Sequence, residues 1–223
     1  PSALGSLPTL FDILRANELP FVSIDSSRLG WGKFWFARSL SKTLPDLMSQ
    51  IDPNNHVIYM YFHYLDNGAH RYGTDSSKFR RELRDVDSLV KEAVLKSEEL
   101  FPGIATMVFS DHGMVNAKSF VDFNWLVKDK AMGRDYVVTL DSTMVRLWYL
   151  KADAKKIIRD KISELSYGHF LSENEKKALK INFDHSMYGE DIYLLDPPYN
   201  IFPNFISLLK PYAMHAYDPS LDS

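Results

Sequence analysis

Residues 105–114 read ATMVFSDHGM. Ala105 to Phe109 is a continuous apolar run without polar alternation, the pattern of a strand buried on both faces of a parallel sheet. Ligand chemistry in open α/β sheets collects just beyond the carboxyl ends of such strands. Asp111 and His112 stand at that place, and Gly113 lets the backbone turn sharply or come close to a ligand. By itself the stretch also fits a helix-capping aspartate beside an ordinary loop histidine.

Working outward, SSKFRRELRDVDSLVKEAVLKSEEL (76–100) predicts a helix, with Leu83, Val86, Leu89, Val90, Val94 and Leu95 forming one apolar stripe. Ser76 or Ser77 is placed to cap its start. HVIYMYFHYL (56–65) predicts a strand. Strand, helix and strand joined by short links make a βαβ unit, whose right-handed crossover builds a parallel sheet. The fold class expected is therefore α/β, a mostly parallel sheet flanked by helices.

The strand at 56–65 also ends in polar residues, Asp66-Asn67-Gly68-Ala69-His70-Arg71-Tyr72-Gly73. On a turn of helix Asp66 and His70, four apart, share one face and can bind one ion. A cation such as zinc accepts carboxylate and imidazole together. Two strands of one βαβ unit thus each deliver an Asp/His pair to the same sheet edge, a coincidence that favours a metal site. His56, His63, His169 and His185 have no acidic partner at ligand spacing and are read as packing or hydrogen-bonding residues.

Composition bounds the alternatives. The chain has 223 residues, 45% hydrophobic and 25% charged, as in ordinary globular proteins. A net charge of -3 without a basic stripe argues against a nucleic-acid duplex as partner. With no cysteine, disulfides, Fe–S clusters and thiolate zinc sites are excluded. No apolar run reaches the roughly 18 residues of a membrane span, and no signal peptide is read. The compartment stays open, with the cytoplasm slightly favoured, and so does the oligomeric state.

Elsewhere, 6–20 predicts a helix with Leu10, Ile13 and Leu14 on one face, 20–25 a strand, and 44–51 a further helix. DYVVTLDSTMVRLWYL (135–150) predicts a hairpin around Asp141-Ser142, 151–165 a helix, 173–180 a short solvated helix, and 190–203 a strand with a proline-rich turn. Trp31, Phe34, Trp35 and Phe36 are read as core packing or a contact with an upstream segment, in preference to the lining of a nucleotide pocket. Without repeats or a linker, residues 1–223 read as a single domain.

Asp-x-x-x-His followed by Tyr-Gly, then Ser-Asp-His-Gly-Met, then His215-Ala-Tyr-Asp-Pro resembles the type I phosphodiesterase/nucleotide pyrophosphatases of the alkaline phosphatase superfamily. The resemblance runs from about residue 6 to 218, with GEDIYLLDPPY (189–199) matching the strand and turn before the last histidine. It implies a hydrolase of phosphodiester or pyrophosphate bonds, acting on a small-molecule phosphate ester or nucleotide. The cofactors implied are two divalent metal ions, zinc first, with manganese or magnesium as alternatives. Asp66, His70 and His215 would bind one ion, and Asp111 and His112 would contribute to the other. The family has glycine where Ala69 and Ala216 stand.

The family also carries, upstream, a strand ending in a metal-binding aspartate, then a threonine or serine nucleophile. PTLFDILRANELPFVSID resembles the helix and strand that come after that nucleophile, and Asp25 lies too close to Ser26 and Ser27 to reproduce the spacing. The chain is therefore expected to hold the C-terminal part of an alkaline phosphatase-like catalytic domain and to be weak or inactive alone. The alternatives are a phosphomonoesterase, phosphomutase or sulfatase-like relative, or a non-catalytic metal-binding fragment completed by another chain.

Overall fold

The computed structural model describes residues 7–25 and 48–220, which fall into two compact units. The aromatic residues Trp31 to Phe36, Ser26, Ser27 and most of the helix expected at 44–51 lie outside the described residues.

In the first unit, the helix Leu10–Ala16 starts at a capping box: Thr9 Oγ1 accepts from the Asp12 N–H while Asp12 accepts from the Thr9 N–H. Only Leu14 of its apolar face is buried, with Leu10 and Ile13 exposed. Strand β1 (Phe21–Asp25) pairs in parallel with β2 (Val57–Tyr61). The second strand is shorter than expected, because Tyr64 and Leu65 already belong to the helix Tyr64–Tyr72, whose residues from Ala69 onward count with the second unit. The long helix Ser77–Leu100 is capped by Ser76, whose Oγ accepts from the Phe79 N–H at 3.0 Å. Its buried face is Val86, Leu89, Ala93 and Ser97, whereas Leu83 and Leu95 face water. Leu89 and Ala93 pack with Met48, Met60 and Phe62.

The strand expected at Ala105–Phe109 does not form. Residues 104–110 join no ladder among the described residues, and Met107, Val108 and Phe109 are 83%, 69% and 69% exposed. An apolar run becomes a strand only when its N–H and C=O groups find a partner, and composition cannot supply one.

The second unit is built on a four-stranded antiparallel sheet in the order β5 (Tyr136–Leu140), β6 (Met144–Tyr149), β8 (Asp191–Leu195), β7 (Gly168–Phe170). The expected hairpin is its first pair, with Tyr136, Val138, Leu140, Val145 and Leu147 alternating into the core. The helix Ala152–Ser163 buries Ala154, Ile158 and Ile162 at helical spacing against them. Phe123, Leu126 and Ile201 complete a core at 0% exposure. Strand β9 (Tyr199–Ile201) pairs in parallel with β4 (Ser119–Val121), and the two-residue strands β3 (Val115–Asn116) and β10 (Ala213–Met214) pair antiparallel. The α/β organisation with parallel elements is present, and the largest sheet among the described residues is antiparallel.

The helix Glu173–Ala178 is not wholly solvated. Lys176 is buried because its ammonium donates to the Glu190 carbonyl and to Glu173. Tyr136 is buried too, and its hydroxyl donates to the Leu126 carbonyl at 2.6 Å. Burial, with Asp129 nearby, pushes its pKa up to about 12. The folded state then holds a proton that the unfolded chain loses near pH 10, so stability falls as pH rises from 10 to 12. Urea titrations across that window should show a shallower decline for Tyr136→Phe. An equal slope in both proteins would contradict this.

Candidate metal centre

The helix Tyr64–Tyr72 follows β2 directly and places Asp66 in its first turn, where a carboxylate is favourable for the helix dipole, and His70 in its last. It ends at Gly73, whose φ of +75° is a conformation glycine takes freely. A side chain there would also crowd Asn116, whose Oδ1 accepts from the Thr74 N–H.

The end of the helix is tied to the segment that carries His215. The His70 carbonyl accepts from the Tyr212 N–H at 2.8 Å, and His70 Nδ1–H donates to the Ala213 carbonyl at 2.7 Å. A carbonyl can only accept, so this bond fixes the tautomer and leaves Nε2 as the lone-pair nitrogen. Metal-binding histidines are held in this way. Two residues beyond Ala213 comes His215, whose ring centroid lies 5.2 Å from that of His70.

Asp66, His70 and His215, all partly buried, each offer a ligand atom within 4.8 Å of the others. Ligands at roughly 2 Å from a tetrahedral ion stand about 3.3 Å apart, a spacing that modest side-chain rotation reaches from here. Two imidazoles and one carboxylate suit zinc, and leave a position open. The residues fit a divalent cation.

His112 stacks on His215 at 3.9 Å between centroids. Its Nδ1–H donates to the Gly113 carbonyl, and Nε2 lies 3.6 Å from Asp111 Oδ1. That separation lets the pair hold one ion between them. Asp111 is 61% exposed and stands outside the three-residue group. The structure thus brings Asp66, His70 and His215 together, with the His112 ring against them and Asp111 beside His112.

Sequence reading missed Thr143 and Asn200, and took Tyr217 only as part of the motif after His215, with no role of its own. Thr143 Oγ1–H donates to the Ala216 carbonyl at 2.8 Å, and Asn200 donates to the Tyr217 hydroxyl at 2.7 Å. The available signal was a lone asparagine inside a strand. Ala216 has φ +69°, a region that burdens any residue with a Cβ by about 1–2 kcal/mol. Ala216→Gly, with its greater unfolded-state entropy as a partial offset, is expected to stabilise the fold by about 1 kcal/mol. Calorimetry should then show a thermal midpoint about 2–4 °C higher. A lower midpoint would show that the turn is not strained.

Solved structures share this fold. Murine ectonucleotide pyrophosphatase/phosphodiesterase 5 is similar at TM-score 0.64 and 18% identity, over 83% of this chain and 50% of that one. It has also been solved as an inactive variant in complex with AMP. The human ectonucleotide pyrophosphatase/phosphodiesterase 5 gives 0.61 and 16%, over 83% and 51%. Phosphonoacetate hydrolase from Sinorhizobium meliloti 1021, in complex with phosphonoacetate, gives 0.54 and 14%, over 80% and 46%. The chain spans about half the length of these proteins. No curated protein matches the chain.

A family profile described as type I phosphodiesterase / nucleotide pyrophosphatase matches residues 24–193, and the chain belongs to that family. The match includes Asp66, His70, Asp111 and His112 and stops before His215, whose place beside Asp66, His70 and His112 is read from geometry. No helix among the described residues is long and apolar enough to cross a membrane.

Proposed function

We propose that this chain contributes the metal-holding part of a hydrolase of phosphodiester or pyrophosphate bonds, acting on a small phosphate ester or nucleotide. The observation that carries the reading is the convergence of Asp66 and His70, one helical turn apart, with His215 from 145 residues further along the chain. Asp66 supplies the negative charge, and His70 and His215 supply neutral nitrogens. The Ala213 carbonyl holds the His70 ring in the ligating tautomer. Asp111 and His112 hold a second cation, the pair being 3.6 Å apart. When bound, divalent cations supply Lewis-acid stabilisation of the charge that builds on phosphoryl oxygens.

The rest of the mechanism follows from what these side chains leave open. Asp66, His70 and His215 would hold the cation with three protein ligands, and such a cation would be able to take a phosphate oxygen of the substrate as a further ligand. The hydroxyl nucleophile of the family is assigned to no residue here. Covalent catalysis needs that hydroxyl positioned in line with phosphorus, so turnover by this chain alone is expected to be slow.

Zinc titration by calorimetry tests the reading. The site with three protein ligands should bind tightly, and the one with two should bind more weakly, because each anionic or imidazole ligand adds to affinity. His70→Ala should remove the tight phase and leave the weak one. Two equally tight ions, or a tight phase surviving His70→Ala, would contradict the assignment.

A further inference from the structure

His215 stands on a segment with little regular structure to hold it. Residues 215–217 lie beyond β10 in neither helix nor strand, and Ala216 adopts the left-handed conformation described above. A ligand histidine there needs its backbone fixed by other means.

Two buried side chains supply the means. Thr143, 1% exposed in the turn between β5 and β6, donates its hydroxyl proton to the Ala216 carbonyl at 2.8 Å. The Thr143 carbonyl itself accepts from the Leu195 N–H at 2.9 Å, which anchors the turn to β8. Asn200, 0% exposed in β9, donates to the Tyr217 hydroxyl at 2.7 Å, and that hydroxyl donates to the Tyr199 carbonyl at 2.8 Å. The turn and β9 are joined in their turn by the Ile201 N–H donating to the Ser142 carbonyl. Both residues after His215 are therefore gripped from one connected frame.

We infer that Thr143, Asn200 and Tyr217 form a polar clamp whose role is to position His215 for the cation. The inference rests on the ligand role proposed for His215. Its physical support is where desolvation is borne. Asn200 Oδ1 is buried with no hydrogen-bond partner among the described residues, so the bond this amide makes is the one its Nδ2 gives to Tyr217. An apolar residue would avoid that penalty, whereas a polar contact fixes direction as well as distance. A shift of an ångström at Ala216 would carry the His215 ring off the roughly 2 Å a zinc ligand requires. These three are positioning residues and touch no ion themselves.

The test measures zinc affinity by calorimetry and thermal midpoint without zinc, on the full 223-residue chain. Thr143→Val keeps the shape and removes the donor, and should weaken the tight zinc phase about 10–100-fold, the usual effect of losing an outer partner of a ligand. Thr143→Ser should restore it. Tyr217→Phe removes the hydroxyl alone and should act in the same direction, which keeps the idea testable if Thr143→Val folds poorly. Val138→Ala is the control, since it thins the core without touching the clamp. It should lower the midpoint and leave zinc affinity as it was. If zinc affinity in Thr143→Val and Tyr217→Phe stays within twofold while His215→Ala abolishes the tight phase, the clamp is wrong and the ligand stands. If His215→Ala itself leaves the tight phase intact, the ligand reading fails and the clamp falls with it.

Discussion

His215→Ala is expected to weaken the tight zinc site by two to three orders of magnitude. Four-ligand structural zinc sites are worth about 10–16 kcal/mol, roughly 2.5–4 kcal/mol for each protein ligand. A loss of that size corresponds to a factor of about 10²–10³ in Kd. Removing one ligand from three leaves Asp66 and His70, whose helix does not depend on the imidazole of His215. The helix Tyr64–Tyr72 keeps Asp66 in its first turn and Arg71 in its last, and the bond from His70 to the Ala213 carbonyl is made by another residue's backbone. The fold should therefore persist while binding is lost. Competition against a chromophoric chelator measures the change, and a Kd within threefold of the parent would remove His215 from the site.

The largest stability effect is expected from Phe123→Ala. Phe123 is 0% exposed in the core of the second unit and lies against Tyr193, with ring centroids 6.0 Å apart. Truncating a buried phenylalanine removes its transfer free energy and leaves a cavity that neighbours fill only partly. Such changes cost about 3–5 kcal/mol. The unit takes its order from β5, β6 and β8 around this ring, with Leu126, Leu147 and Ile201 fully buried nearby. Urea denaturation should show the midpoint falling in proportion. A loss below about 1 kcal/mol would mean that the site collapses freely, contrary to the close packing of protein interiors.

What could be read from the chain depended on whether the signal was local. The hairpin at 136–149 was legible because period-two alternation and its turn residues lie within a few positions of one another. The Ser76 cap and the Asp66–His70 spacing were legible for the same reason. The buried face of the long helix was read one step off. Ala93 and Ser97 are small, so they carry little weight in an apolar count, yet they are buried on the inward side in place of Leu83 and Leu95. At Ala105–Phe109 the apolar run was read as a strand, but pairing is a property of two segments and the described residues provide no second one.

The candidate site divides in the same way. Asp66, His70, Asp111 and His112 announced themselves by adjacency to apolar segments. His215 could be reached only through the family resemblance, because its neighbours are brought to it by the two-residue pairing of β3 with β10 and by the Tyr212 bond to His70. Thr143 gave no pattern, Asn200 only its place inside a strand, and Tyr217 only its place in the motif that follows His215. Their contacts span 73 and 17 positions and are visible only once the turn and β9 lie side by side.

The central claim is that Asp66, His70 and His215 hold one cation. It is tested most directly by crystals of the chain loaded with zinc and measured above and below the zinc absorption edge. The account predicts an anomalous peak at roughly 2 Å from a carboxylate oxygen of Asp66, from Nε2 of His70 and from the imidazole of His215. A zinc ion bound elsewhere on the chain, with these three side chains turned away from it, would contradict the account.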